Sequence, residues 1–427
     1  MPPSIVRLCP PRHARAADRM HRFQPQTLLF PFLLLVACAD GGKTEVPQSE
    51  VQIAANHHVM WFRSLPGFGS SATRPLAVNS GHATLAMAAD STYTLVFAGG
   101  GTSSKERYAI ANTAKLSIYQ TGSGRNPSTV FQGGYQLVGA RPDLFFTDRV
   151  SAGDSTSIGL YFGARTVLGQ DELEGAWHLF SMHVMMQNAT LQTPRTVARA
   201  AFGEVSVAAG APGTARAISG TGFESGADPS TVPVTLSGQV TNLLDGSQQG
   251  NGICNLTVGY TNTGSATDSR VFWAAAGSDL LFAVDEDETD TASGLLAMVR
   301  KFAAPATPAD PARIAGTFYV GGYTTFVNPT NAGSDSFVGE LLLTPQGAVR
   351  LDGLDHRGVD FAYTGTWTST AEGGLTLQIS GNGGETWRGA VARSYDTLVF
   401  VDPVVEVRTN NTPELNFVHA VRKRSNP

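Results

Sequence analysis

The C-terminal third of the chain alternates between apolar and polar positions with a period of two, which is typical of β-strands with one buried face. Leu375, Leu377 and Ile379 alternate with polar residues, and Val349 and Leu351 alternate with charged ones. Turn signals rich in glycine separate these runs, at 345–347, 372–374 and 382–384. The pattern predicts about eight strands joined by short hairpins, which is an antiparallel meander.

The same unit occurs three times along the chain, and this repeat is the most informative feature of the sequence. Each copy opens with an aromatic residue in a strand and closes with a strand that ends in arginine. The aromatic and arginine anchors are Trp61 and Arg165, Trp177 and Arg300, and Phe318 and Arg422. The separations are 104, 123 and 104 residues (61 to 165, 177 to 300, 318 to 422), and a glycine-led and an aspartate-led strand recur between the anchors.

A meander of eight strands avoids exposed edges by closing into a barrel. We therefore predict an all-β fold of three tandem antiparallel meander units, each an eight-stranded up-and-down β-barrel. The units are expected at 56–168, 169–302 and 313–427, with a proline-rich linker at 303–312 that runs extended between the last two. A transmembrane barrel is disfavoured, because the runs are shorter than the roughly 9–11 residues that a membrane-spanning strand needs.

The N-terminal region predicts export. Several arginines precede an apolar run at 27–37, and a basic segment followed by a short apolar core is typical of a secretory signal. The run is too short to span a bilayer as a helix, which takes about 20 residues. We therefore expect residues 1–37 to be a signal peptide.

The apolar run ends in Leu-Val-Ala-Cys, which resembles the bacterial lipobox. The resemblance implies cleavage before Cys38 and acylation of that cysteine, so that 38–55 becomes a lipidated tether and the membrane a partner. An ordinary signal peptide with an incidental cysteine is the alternative. Ala39 follows the cysteine in place of an acidic residue, and by resemblance to the sorting rules of some bacteria this favours the outer membrane within the cell envelope.

Charge excludes one class of partner. Charged residues make up 15% of the chain, against about 25% in an average soluble protein. Without residues 1–37, 25 basic and 34 acidic residues remain (30 − 5 and 35 − 1), a net charge of −9. With no basic patch and no recognition motif, nucleic acid is not an expected partner.

A Gly-x-Trp pattern on the first strand with an arginine at the end of the last is similar to the calycin pattern of lipocalins and avidins. The second copy carries it fully, as Gly175, Trp177 and Arg300. The corresponding residues are Gly316, Phe318 and Arg422 in the third copy, and Trp61 and Arg165 in the first. The resemblance implies that the arginine packs across the aromatic ring and closes one end of the barrel. In architecture the chain also resembles barrel-bearing surface lipoproteins of the transferrin-binding type, although their motifs are absent.

No catalytic motif is present: Gly-x-Ser-x-Gly, Ser-x-x-Lys and His-Glu-x-x-His do not occur. The acidic run at 285–290 is interpreted as a solvated hairpin and not a calcium loop, since it lacks the loop's glycine and distal glutamate. The His- and Met-rich strand at 177–186 would divide a copper site between two faces. We therefore expect no enzymatic activity, no cofactor and no metal site.

The aromatic residues Tyr363, Trp367 and Trp387 of the third copy are candidates to line a ligand cavity, or else to fill the barrel. These patterns indicate a membrane-anchored, non-enzymatic lipoprotein that binds a small apolar ligand in one or more barrels. The alternative is an envelope structural or protein-interaction lipoprotein with filled barrels and an envelope protein as partner. An enzyme on a barrel scaffold is a third possibility.

Overall fold

The structure is a computed structural model of the 427-residue chain. The residues it describes are 51, 53–65, 77–97, 101–103, 105–120, 128–136, 143–148, 158–164, 170–187, 195–211, 214–225, 231–242, 253–262, 268–276, 279–285, 292–328, 331–355, 358–380, 384–402 and 414–424. The predicted signal peptide, Cys38 and Arg165 lie outside the described residues. Residues Lys43–Pro427 belong to one compact unit.

Within the described residues, 24 strands form three closed antiparallel barrels of eight strands each, which confirms the predicted fold class. Barrel one comprises β1 (Ala55–Leu65), β2 (Ala77–Met87), β3 (Thr92–Phe97), β4 (Glu106–Ile110), β5 (Lys115–Gln120), β6 (Ser128–Tyr135), β7 (Asp143–Asp148) and β8 (Ile158–Ala164). Barrel two comprises β9 (Gly175–Gln187), β10 (Arg195–Val207), β11 (Arg216–Ser225), β12 (Thr231–Asn242), β13 (Ile253–Asn262), β14 (Asp268–Ala276), β15 (Leu280–Asp285) and β16 (Ala292–Arg300). Barrel three comprises β17 (Gly316–Asn328), β18 (Asn331–Leu343), β19 (Ala348–Asp355), β20 (Asp360–Ser369), β21 (Gly374–Ser380), β22 (Glu385–Val391), β23 (Thr397–Asp402) and β24 (Glu414–Arg422).

The first strand of each barrel pairs with both the second and the last, so that every strand has two neighbours. Closure of this kind leaves no unpaired edge. The least continuous seam is in barrel one, where β3 and β4 share two residue pairs, Thr92 with Arg107 and Tyr93 with Glu106.

Each barrel has its own apolar core among the described residues. In barrel two, large side chains such as Trp177, Leu236, Leu256 and Met298 point inward and are fully buried. Trp367 and Trp387 belong to the apolar core of barrel three, and Tyr108 and Tyr135 belong to that of barrel one. Interiors packed in this way hold each barrel together by apolar burial.

A fourth apolar core joins the three barrels to one another. It is built from outward-facing side chains, mostly on the first strand and the last two strands of each barrel. At its centre the ring of Phe162 (β8) lies 4.5 Å from that of Phe282 (β15) and 6.2 Å from that of Phe417 (β24), measured between centroids. The barrels therefore form one packed body, which the repeat alone did not indicate.

The proline-rich segment at 303–312 is not extended, so the prediction of an extended linker is wrong. It forms a turn after Lys301 and then a short helix, α1 (Pro311–Ile314), capped by the side chain of Asp310. Its backbone is bound to barrel three: the amide of Phe302 donates to Glu372 O (3.0 Å) and that of Ala309 to Ala371 O (2.8 Å). These hydrogen bonds hold the connection against the β20–β21 turn.

Candidate functional site

The calycin-like residues meet at one end of barrels two and three. The guanidinium of Arg300 lies 4.2 Å from the ring centroid of Trp177, and that of Arg422 lies 4.5 Å from the ring of Phe318. Arg300 also donates to the backbone oxygens of Glu174 (2.7 Å) and Glu172 (2.6 Å). In the first copy Trp61 packs edge-on against Phe97 at 5.7 Å, while its predicted partner Arg165 lies outside the described residues.

Steric constraints explain why glycine occupies the first position of this motif. Gly175 and Gly316 have φ angles of +124° and +152°, which L side chains rarely adopt. A Cβ on Gly316 would also lie 2.2 Å from Nη1 of Arg422. Glycine therefore lets the arginine cross the barrel end, and we propose that this contact closes the barrel.

The three predicted ligand-lining aromatics belong to the interior of barrel three. Trp367 donates to Thr344 O (2.8 Å), and Trp387 donates to a carboxylate oxygen of Glu385 (3.0 Å). Trp387 is 3% exposed, whereas Tyr363 is half-buried at the margin of the same core. The tryptophans thus act as packed core side chains here, and ligand contact by these residues stays a prediction.

A cleft of about 730 Å³ lies between the outer surfaces of barrels two and three. Strands β9 to β13 form one wall, and β21, β22 and the turn before β21 form the other. The volume is in the range of pockets that hold small molecules, about 300–1,000 Å³. This cleft, and not a barrel interior, is the candidate site.

The barrel-two wall carries an apolar row across three strands. Phe202 pairs in register with Phe223, and Phe223 pairs with Pro233. The two phenylalanine rings are stacked at 5.4 Å with an interplanar angle of 22°, and Phe223 is 42% exposed. The row presents an apolar platform to the cleft.

A polar row runs beside the apolar one on the same face. Glu204 pairs in register with Thr221, Thr221 with Thr235, and Thr235 with Thr261. All four residues line the cleft. Because a threonine hydroxyl can both donate and accept, this row suits polar atoms of a bound molecule.

Arg388 projects into the cleft from barrel three. Its Nη1 donates to the hydroxyl of Thr376 (2.8 Å), and its guanidinium lies 5.9 Å from the ring centroid of Phe202. Within the described part of the chain, no carboxylate lies within salt-bridge distance of Arg388. The cleft therefore holds a positive charge beside an aromatic face.

One end of the cleft is fixed by an ion cluster that joins the barrels. Lys301 Nζ contacts a carboxylate oxygen of Glu204 (2.9 Å) and one of Glu372 in the β20–β21 turn. Burial opposes the charge of Lys301, but these two hydrogen bonds outweigh it and raise the lysine pKa. The ring of His178 donates through Nε2 to Glu372 O (3.1 Å), and burial lowers the pKa of that histidine.

Two classes of feature are not found among the described residues. No group of three or more histidine, cysteine or acidic side chains is arranged to hold a metal ion. No helix in this part of the chain is long and apolar enough to cross a membrane.

Sequence reasoning missed the cleft, because its residues come from seven strands of two repeats and form no motif. One signal was available. Phe202 and Phe223 occupy outward positions of their strands, where alternation predicts polar residues, and an exposed aromatic pair is a sign of a binding surface.

Neither a protein-family model nor a curated protein sequence matches the chain. Among solved structures, transferrin-binding protein B of Haemophilus parasuis is similar over 87% of this chain and 76% of that chain, with 10% identity and a TM-score of 0.27. The protein from Neisseria meningitidis is similar over 86% and 75%, with 11% identity and a TM-score of 0.26. A DUF3598-family protein of unknown function from Nostoc punctiforme is similar over 86% and 95%, with 12% identity and a TM-score of 0.18. Scores this low carry no functional argument.

Proposed function

We propose that the protein is a membrane-anchored, non-enzymatic binding protein of the cell envelope that holds a small ligand in the cleft between barrels two and three. The observation that carries this proposal is the cleft itself, which offers about 730 Å³ lined by an aromatic platform and a cation. The described interior side chains of barrels two and three pack into apolar cores. The barrels serve as rigid scaffolds for the cleft walls.

The test is native mass spectrometry of the full-length processed protein, extracted from bacterial membranes in mild detergent. We expect a discrete extra mass that organic extraction removes. In Thr221→Trp, the bulky side chain enters the cleft from β11, and we expect the extra mass to disappear. Thr364→Trp is the matched control, since Thr364 is an exposed residue of β20 that does not line the cleft.

Two results would contradict this proposal. A mass that persists in Thr221→Trp would locate the ligand elsewhere, for example inside a barrel. A bare protein mass at good signal would favour the second candidate function, a protein-interaction role in the envelope. Filled barrels and exposed apolar residues such as Val96 and Phe97 of barrel one support that second candidate.

Membrane attachment through Cys38 has its own test. We expect Cys38→Ala to lose incorporation of an alkyne-labelled palmitate down to background, because the lipobox cysteine is the proposed acceptor. In-gel fluorescence after metabolic labelling measures this. Cys254→Ala, which changes the cysteine of β13, is the control and should be labelled like the wild type. Label that survives in Cys38→Ala would overturn the proposed anchor.

A further inference from the structure

We propose that the cleft between barrels two and three selects organic anions, in the form of a planar apolar group that carries a carboxylate. The apolar group lies on the Phe202–Phe223 platform and the carboxylate pairs with Arg388. This inference rests on the proposed function, because it names the chemical class of ligand for the same site.

Two other cations of the described chain, Lys301 and Arg350, already have carboxylate partners. Lys301 is held by two carboxylates, those of Glu204 and Glu372. Arg350, on β19, which β20 separates from β21, pairs with Asp352 at 2.7 Å. Arg388 by contrast is exposed, and its side-chain hydrogen bond within the described part of the chain is to the neutral hydroxyl of Thr376.

A guanidinium has five N–H donors in a planar fork, and a carboxylate accepts two of them in parallel. One donor of Arg388 is bound to Thr376, and no carboxylate in the described part of the chain pairs with the others, so they are available for an anion. The contact with Thr376 also fixes the side chain over the cleft. The ligand that complements this arrangement is therefore anionic.

The barrel-two wall offers the ligand an apolar surface. Phe202, Phe223 and Pro233 lie in one row across three adjacent strands, and the two rings are nearly parallel. A flat apolar group that packs against this row removes the exposed surface of Phe223 from water. The guanidinium lies 5.9 Å from the Phe202 ring, so an anionic substituent at the edge of the stacked group would reach it.

The experiment compares two probes of the same shape, 2-naphthoate and the neutral 2-naphthamide. Isothermal titration calorimetry measures both on the full-length processed protein in detergent, with matched detergent blanks. We expect 2-naphthoate to bind about tenfold more tightly than 2-naphthamide, the effect of one charge-assisted pair.

Three variants separate the contribution of the Arg388 charge to binding from that of the apolar platform. Arg388→Met should reduce the ratio of the two affinities to near one and leave 2-naphthamide binding unchanged. Arg350→Met is the matched control and should keep the wild-type ratio. Phe223→Ser, at a position that is 42% exposed, should weaken both probes by a similar factor.

Equal affinities for the two probes in the wild type, or a ratio that survives in Arg388→Met, would overturn the anion preference. Failure of both probes to bind would overturn the ligand class as a whole. Neither result decides the proposed function, which depends on whether the extractable mass is lost in Thr221→Trp.

Discussion

We expect Phe282→Ala to lower the free energy of unfolding by about 3–5 kcal/mol, the usual cost of removing a fully buried phenylalanine. Phe282 lies on β15 of barrel two and is 1% exposed. Its ring lies 4.5 Å from that of Phe162 in barrel one and 5.0 Å from that of His419 in barrel three. The substitution would therefore leave a cavity where all three barrels meet.

Urea denaturation followed by tryptophan fluorescence measures the effect. The matched control is Phe223→Ala, which removes the same atoms from a ring that is 42% exposed, and surface changes of this kind usually stay within about 0.5 kcal/mol. A loss below about 1 kcal/mol in Phe282→Ala would mean that the barrels are stable without their shared core.

The barrels themselves could be predicted from sequence, because the alternation of apolar and polar residues within each strand identifies its buried face. Leu375, Leu377 and Ile379 alternate with polar residues and point into barrel three as a period of two requires. The closing contact between Trp177 and Arg300 was likewise available from the repeat and the calycin-like motif. Both are properties of single repeats.

The core shared by the three barrels could be predicted only in part from the sequence. The closing strands, such as 158–164 and 292–300, are apolar on both faces, and a continuous apolar run indicates burial on both sides. The sequence does not say which outward faces meet, because that depends on the relative placement of whole barrels. The cleft depends on the same placement: Phe223 and Arg388 lie on different barrels and share no sequence pattern.

The second large effect concerns His419, whose imidazole lies in the shared core. The residue is fully buried on β24, between the rings of Phe145 (5.1 Å) and Phe282 (5.0 Å). Neither ring nitrogen has a hydrogen-bond partner in the described part of the protein. The third residue before the closing arginine is apolar in the other two repeats, Phe162 and Ala297, so a polar side chain at this position is an exception.

Burial lowers the pKa of His419 to about 3 from its ordinary value of 6.5. The described side chains against its ring carry no charge: these are Phe145 from β7 and Phe282 from β15. Its register partners on β17 and β23 are Gly321 and Val399. The folded protein therefore binds this proton less readily than the unfolded chain does. The contribution of the neutral ring to the free energy of unfolding is fully present above pH 6.5. It is lost as the pH falls toward 3.

We expect His419→Leu to be more stable than the wild type by about 1–3 kcal/mol at pH 7.5, because two unsatisfied buried nitrogens are removed. At pH 4.5 the advantage should grow by roughly a further 2–3 kcal/mol, since one pKa unit corresponds to about 1.4 kcal/mol. Urea unfolding at the two pH values measures both differences. Burial also lowers the pKa of His58, His82 and His178, but these groups are present in both proteins, so the change in the difference reports His419. An advantage that is the same at both pH values would mean that His419 is not the group that titrates in this range.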